Sequence, residues 1–193
     1  MADTVITLEP QPALPARERA FGDRLRLYVL PLRAVLHLRL SARALPGAGD
    51  IRIAGQPLPQ APNSWSGDDP VICCVAPDTW LLLSALHGPA ELEAAVHAGR
   101  ADRLCTIVDL SDAHAALALE GPDATAILAR GCGLGLSESG FGPDACTNTR
   151  FAQLPVLLRR AARQRFELIA DRSVAQYLVD WIEDAAAGLD HGA

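Results

Sequence analysis

A run of glycines with one cysteine at residues 131–135 is the first feature of the sequence that could do chemistry. Glycine-rich loops bind dinucleotides when they follow a strand and open a helix, because backbone N–H groups and the helix dipole then point at the pyrophosphate. Here the run follows a predicted helix and enters a loop. We interpret it as a helix stop, with Gly131 as the terminating residue, and not as a cofactor cradle.

Asp109, Ser111 and His114 bring together the three side-chain types of a hydrolase triad. Triad members normally come from separate elements, since hydroxyl, imidazole and carboxylate must line up. The sequence also has no G-x-S-x-G nucleophile elbow. On a turn between two strands, Asp109 or Ser111 is expected to cap backbone N–H groups. The sequence therefore predicts no catalytic residue.

The cysteines and histidines show no spacing typical of a disulfide framework or a metal site. The five Cys are an odd number without a C-x-x-C pair, which favours a reducing compartment. Cys73 and Cys74 would point to opposite faces of a strand and are predicted to be buried thiols. The histidines without ligand spacing are His37, His87, His97 and His191. No metal site and no cofactor-binding residue are predicted on this chain.

Trp65, within the string Pro62-Asn63-Ser64-Trp65, falls in a predicted loop outside any obvious core stripe. An aromatic side chain in such a place could anchor a partner, because buried aromatics dominate many interfaces. The alternative is that the ring covers a sheet edge. Asn63 and Trp65 are therefore our candidate partner-interface residues.

The elements that must position these side chains form an ordered series from residue 71 onwards. Two strands precede a helix at residues 89–100, and two more precede a second helix that Gly121-Pro122-Asp123 opens. Three further strands precede a last helix at residues 173–187, which has one apolar stripe. Because helices recur after pairs of strands, the order favours an α+β fold with a mixed or antiparallel sheet over a doubly wound parallel sheet.

Composition narrows the class of protein further. The chain has 193 residues, is 50% hydrophobic, and carries a net charge of −6 with 17 Arg and no Lys. An acidic chain without a basic stripe argues against nucleic-acid binding. Neither a signal peptide nor a membrane-length apolar run is visible. We predict a cytoplasmic protein with a proline-rich arm at residues 1–24 and a single α+β domain at residues 25–193.

Several short strings, in this order, resemble the gamma subunit of heterotetrameric sarcosine oxidase over residues 60–187. They are Pro62-Asn63-Ser64-Trp65, Ala76-Pro77-Asp78-Thr79-Trp80-Leu81-Leu82-Leu83, Val108-Asp109-Leu110-Ser111-Asp112-Ala113-His114, Leu119-Glu120-Gly121-Pro122-Asp123-Ala124, Leu128-Ala129-Arg130-Gly131-Cys132, Phe166-Glu167-Leu168, Arg172-Ser173 and Tyr177-Leu178-Val179-Asp180-Trp181-Ile182-Glu183-Asp184-Ala185.

The resemblance implies an accessory, non-catalytic subunit of an oxidoreductase complex. Such a complex oxidatively demethylates sarcosine or a related N-methyl amine and passes the one-carbon unit to tetrahydrofolate. Flavin (FAD and FMN), NAD and tetrahydrofolate would then bind to the larger alpha and beta subunits, which are the implied partners with a small delta subunit. The implied fold is similar to the folate-binding domain of the glycine-cleavage T-protein. Contact with the partners is expected through the loop at residues 43–70 and the N-terminal arm.

The alternative is a free-standing folate-binding protein in one-carbon or iron–sulfur metabolism. The iron–sulfur branch of that superfamily carries a signature of the Lys-Gly-Cys-Tyr type. This sequence instead has Arg130-Gly131-Cys132-Gly133 and contains no Lys. Tight folate binding by the isolated chain would favour the alternative.

Overall fold

Thirteen strands and three α-helices make up the part of the chain that the computed structural model describes, which is residues 11–41, 51–100 and 103–189. The strands are β1 (Glu18–Phe21), β2 (Leu25–Leu30), β3 (Ala34–Leu40), β4 (Arg52–Ile53), β5 (Gln56–Pro57), β6 (Ser64–Ser66), β7 (Val71–Ala76), β8 (Thr79–Ser84), β9 (Cys105–Asp109), β10 (His114–Glu120), β11 (Cys146–Phe151), β12 (Leu154–Ala162) and β13 (Arg165–Asp171). The helices are α1 (Pro89–Gly99), α2 (Ala124–Gly131) and α3 (Ala175–Ala187).

Eleven of the described strands pair antiparallel in two main sheets, and β4 and β5 form a separate two-stranded sheet. The larger sheet has the order β1-β2-β10-β13-β12-β11, and the smaller sheet has the order β6-β7-β8-β3-β9. Helices α2 and α3 cover the outer face of the larger sheet, and α1 covers the outer face of the smaller sheet. A third apolar layer lies between the two sheets. The result is four stacked layers in which both sheets bury apolar side chains on two faces.

The two sheets are joined along one side, where β6 meets the chain around the start of β11. The Trp65 N–H donates to the Asp144 carbonyl (3.1 Å), and the Cys146 N–H donates to the Asn63 carbonyl (2.9 Å). We call this contact the seam. Away from the seam the sheets end in β1 and β9, and neither strand has a second partner strand among the described residues.

The predicted α+β class and the order of elements from residue 71 onwards are confirmed. Two details differ from the sequence analysis. Trp65 lies on strand β6 and not in a loop, since a strand of three residues gives no readable period. Within the predicted arm, Glu18–Phe21 forms strand β1, which pairs with β2, and Leu14 is buried in the core of the larger sheet. Removing residues 1–24 is therefore expected to destabilise the body itself.

Some predictions fall outside the described residues. These are residues 1–10 of the arm, residues 43–50 of the proposed contact loop, and His191. The division of the chain at residue 25 stays a prediction. None of the helices in the described part of the chain is long and apolar enough to span a membrane.

Candidate functional site

The Trp65 side chain lies at the seam, where residues of the same chain bind it. Its Nε1–H group points at two carbonyls, those of Pro143 (3.0 Å) and Arg160 (3.2 Å). The Arg159 guanidinium lies over the indole ring, 4.1 Å from the ring centroid, which is a cation–π distance. The ring is half-buried. These contacts give Trp65 a structural role, and its role as a partner anchor stays a prediction.

Asn63 precedes β6 and has left-handed backbone geometry, with φ of 64°. Its N–H donates to the Cys74 carbonyl (2.8 Å), and its carbonyl accepts from the Cys146 N–H. Asparagine tolerates this conformation better than most residues. The backbone of Asn63 therefore links β7 to the larger sheet, while its side chain is exposed.

A buried ion pair lies beside the indole ring of Trp65. Arg159 on β12 and Glu167 on β13 are cross-strand neighbours, and their side chains keep 8% and 12% of their surface. Arg165 also donates to Glu167 (3.4 Å) and to Glu120 on β10 (2.8 Å). Because Glu167 is shared by two guanidinium groups, it neutralises charge that would otherwise be costly to bury.

Cys73 and Cys74 point to opposite faces of β7, as predicted. Cys73 lies in the layer between the sheets, and Cys74 lies in the core under α1. A hydrogen bond with the Cys146 thiol, together with burial, raises the pKa of Cys73 well above its ordinary value. A thiol with this environment is a poor nucleophile, since the thiolate is the reactive form.

Asp109, Ser111 and His114 form a structural turn, as predicted. The Asp109 carboxylate accepts from the Ser111 N–H (2.9 Å) and from its hydroxyl. The Ser111 Oγ in turn accepts from the Val35 N–H (3.0 Å). The His114 Nδ1 lies 3.2 Å from the Leu110 carbonyl. The serine hydroxyl is thus committed to an aspartate and a backbone amide, and this geometry is not that of a catalytic triad.

The glycine run begins at the C-terminal end of α2, which confirms its interpretation as a helix stop. A Cβ atom on Gly131 would lie 2.9 Å from ring atoms of both Phe151 and Trp181, so the glycine permits close packing of these rings. The run continues away from the helix, and Gly133 and Gly135 have open space around them. A phosphate cradle requires the reverse order of loop and helix.

Two of the hollows in the described part of the chain open between the sheets. One of about 580 Å³ has an apolar floor that includes Leu81, Leu157 and Ile169, and its rim includes His37 and His114. The other, of about 200 Å³, lies beside Asp68, Asp69 and Glu167. No group of three or more His, Cys, Asp or Glu side chains in the described ranges is arranged to hold a metal ion.

Both oxygens of the Asp69 carboxylate accept hydrogen bonds from residues at the end of strand β8 and just after it. It accepts from the Ser84 hydroxyl (2.5 Å), the Ala85 N–H (2.9 Å) and the Leu86 N–H (3.2 Å). Carboxylates that cap backbone amides in this way hold a chain reversal in place. The Asp69 carboxylate at the smaller hollow therefore holds the chain that follows β8 in place and is not a free ligand.

We expect Trp65→Phe to lower the free energy of unfolding by about 1–2 kcal/mol, because the Pro143 and Arg160 carbonyls lose their shared donor. Urea unfolding of the isolated chain measures this difference. Tyr177→Phe is the control, since the Tyr177 hydroxyl has only a 3.5 Å contact with the Ala152 carbonyl. Unchanged stability combined with lost partner binding would instead show that Trp65 is a partner anchor.

Comparison with known proteins gives a consistent set of similarities. Residues 48–188 match the family described as sarcosine oxidase, gamma subunit family. The chain is 31% identical over 153 residues to the sarcosine oxidase subunit gamma of Corynebacterium sp. (strain P-1), with 76% of this chain and 74% of the relative covered. The subunit gamma of an Arthrobacter species is also 31% identical, over 157 residues with the same coverage.

Two solved structures resemble the fold. A chain of heterotetrameric sarcosine oxidase from Corynebacterium sp. U-96, in complex with pyrrole 2-carboxylate, matches with a TM-score of 0.76 and 27% identity, covering 91% of this chain and 90% of that one. The glycine cleavage system aminomethyltransferase T from Bartonella henselae matches with a TM-score of 0.53 and 20% identity, covering 83% of this chain and 45% of that one. The second similarity shows a shared fold alone.

Proposed function

This chain belongs to the sarcosine oxidase gamma subunit family, and from that premise we propose that it is the accessory, non-catalytic subunit of a sarcosine oxidase-type complex. The complex would oxidatively demethylate sarcosine or a related N-methyl amine and pass the one-carbon unit to tetrahydrofolate. The observation that carries the proposal is the match to a chain of heterotetrameric sarcosine oxidase over about nine-tenths of both chains, at 91% and 90%.

The side chains support an accessory role. The residue types that could do chemistry are used to hold turns and sheets together: Asp109 and Ser111 cap a turn, and Cys73 is held as a buried thiol. Glu167 is occupied by two guanidinium groups. An enzyme needs a nucleophile or base that is free to approach a substrate. In this chain the Ser111 hydroxyl, the Cys73 thiol and the Glu167 carboxylate are already engaged in structural contacts.

The likeness to aminomethyltransferase T raises the question of a folate on this chain. A pterin ring presents N–H donors, which a free carboxylate would accept. The carboxylates at the smaller hollow are those of Asp68, Asp69 and Glu167, and the last two already have their donors. At about 200 Å³ the hollow is also smaller than the roughly 300–1,000 Å³ of ordinary ligand sites. The smaller hollow therefore does not fit a folate, and we assign no step to one.

We assign the cofactors of the reaction to the partners, as the family resemblance implies. Flavin, NAD and tetrahydrofolate, which supply the redox and one-carbon chemistry, would bind to the larger alpha and beta subunits. A small delta subunit completes the proposed assembly, which would work in the cytoplasm. Four features remain proposed contacts with these partners: Asn63, Trp65, the loop at residues 43–70 and the N-terminal arm.

Affinity purification of the tagged chain from its own host tests the proposal. We expect two larger subunits to co-purify and the eluate to absorb near about 450 nm, where bound flavin absorbs. The isolated chain is expected to be colourless and inert towards N-methyl amines. Recovery of the chain alone, together with tight binding of tetrahydrofolate, would contradict the proposal and favour a free-standing folate-binding protein.

A further inference from the structure

Strand β9 is an open edge of the smaller sheet with apolar side chains exposed to solvent. The side chain of Leu104, which directly precedes β9, is 78% exposed, and that of Val108 within β9 is 45% exposed. On its opposite face, Cys105 and Ile107 pack against the core under α1. One side of β9 pairs with β3, and within the described ranges no strand pairs with the other side.

The hydrogen bonds to β3 determine which backbone groups point outward. The Leu104 carbonyl accepts from Ser41 (2.9 Å), and the Leu110 N–H donates to the Val35 carbonyl (2.8 Å). In an antiparallel pair such bonds recur at every second residue, so the backbone N–H and C=O groups of the even-numbered residues of β9 point towards β3. The outward N–H and C=O groups belong to Cys105, Ile107 and Asp109. They form a regular row that only another extended backbone can match.

The exposed face of β9 adjoins a positive charge. Thr106 and Val108 lie opposite Arg39 and His37 of β3 in the register. Arg39 is exposed, and its guanidinium has no ion pair among the residues that the structure describes. A segment that pairs with β9 would place a side chain within reach of Arg39. A carboxylate at that position would find a complementary charge, and apolar neighbours would cover Leu104 and Val108.

Strand β1, the free edge of the larger sheet, is protected against pairing with a further strand. The contrast with β1 supports a specific binding role for β9. Strand β1 has only four residues and carries Glu18 and Arg19. Arg17 and Arg19 form ion pairs with Glu183 of α3 across it. Natural sheets discourage unwanted pairing by such charges, short edges or prolines. The sequence of β9, Cys-Thr-Ile-Val-Asp, has no proline, and the carboxylate of its one charged residue, Asp109, accepts hydrogen bonds from Ser111.

We propose that β9 accepts an extended segment of a partner subunit, which continues the smaller sheet by one strand and carries an acidic residue towards Arg39. This inference rests on the proposed function, since it takes the occupant from the complex. A second copy of this chain fits less well. In an antiparallel β9–β9 pair, the same face of the second copy would present His37 and Arg39 and no carboxylate.

Paired substitutions on the full chain, expressed with its partners in its own host, test the proposal. We expect the double variant Leu104→Glu and Val108→Glu to reduce recovery of the larger subunits at least about 10-fold, because two charges would be buried against the added strand. Arg39→Glu is expected to reduce recovery as well. Leu86→Glu is the matched control, since Leu86 is 67% exposed and lies at the end of β8, and it should recover the partners like the wild type.

Residue-resolved hydrogen exchange gives a second measurement that needs no substitution. In the complex, exchange of the Cys105, Ile107 and Asp109 amides should slow at least about 10-fold relative to the free chain, while the Thr106 and Val108 amides are already protected by β3. Unchanged outward amides, or full partner recovery by the double variant, would overturn the β9 proposal and leave the proposed function standing. Failure of the wild type to recover any partner would overturn both. A homodimer that the double variant abolishes would assign β9 to a second copy instead.

Discussion

Glu167→Gln is expected to lower the free energy of unfolding of the isolated chain by about 3–5 kcal/mol, because it leaves the buried Arg159 guanidinium without its counter-charge. Arg159 and Glu167 keep only 8% and 12% of their side-chain surface, so solvent screens the lost charge poorly. Arg165 loses one of its two carboxylates at the same time. Urea unfolding followed by circular dichroism measures the difference.

Two further variants separate charge burial from packing. Glu138→Gln removes an ion pair with Arg163 whose side chains are 57% and 83% exposed, and it should cost less than about 1 kcal/mol. The double variant Arg159→Met with Glu167→Leu should recover much of the stability lost by Glu167→Gln, because no uncompensated charge remains. Equal effects of Glu167→Gln and Glu138→Gln would show that the buried pair does not behave as the structure implies.

Gly121→Ala is the other substitution with a large expected effect, roughly 3–5 kcal/mol of lost stability, from backbone strain and a steric clash together. Gly121 has φ of 130°, a region that residues with a Cβ rarely adopt. A Cβ atom there would lie 2.2 Å from the Arg24 carbonyl oxygen. That carbonyl is itself fixed, since it accepts from the Asp123 N–H (3.2 Å) at the start of α2.

Gly22→Ala is the matched control for Gly121→Ala. Gly22 also has positive φ, at 60°, but no atom lies within 4 Å of the position of a Cβ. Its substitution should cost about 1 kcal/mol, from backbone strain alone. Thermal unfolding of both variants measures the contrast. Melting temperatures that fall equally would contradict a steric role for Gly121.

The order of strands and helices could be predicted from residue 71 onwards because the signals there are local. Short apolar runs are bounded by Gly and Pro, and the Asp109–Ser111 turn depends on side chains two residues from the amides they cap. Strand β6 could not be predicted, because three residues show no period and their pairing with β7 and the seam is non-local. Strand β1 is polar on an edge and gives no hydrophobic alternation.

The buried Arg159–Glu167 pair and the open edge at β9 both depend on how the strands are arranged in the sheets. One signal for the buried ion pair was present in the sequence. Two adjacent arginines lie near the end of the apolar strand β12, and pairing β12 with β13 as a hairpin places Arg159 opposite Glu167. No feature of the sequence indicates that β9 lies at an open edge of its sheet. This position follows from β3 lying between β8 and β9, which only the sheet order reveals.

Native mass spectrometry of the complex purified through this chain measures whether the chain is a flavin-free subunit of a larger assembly. We expect an assembly that contains one copy of the 20.5 kDa chain with larger subunits. Gentle dissociation should release the chain without flavin while the flavin stays with the larger subunits. Recovery of the chain only as a monomer or a homo-oligomer, or with flavin bound to it after release, would show that it is not the accessory subunit proposed here.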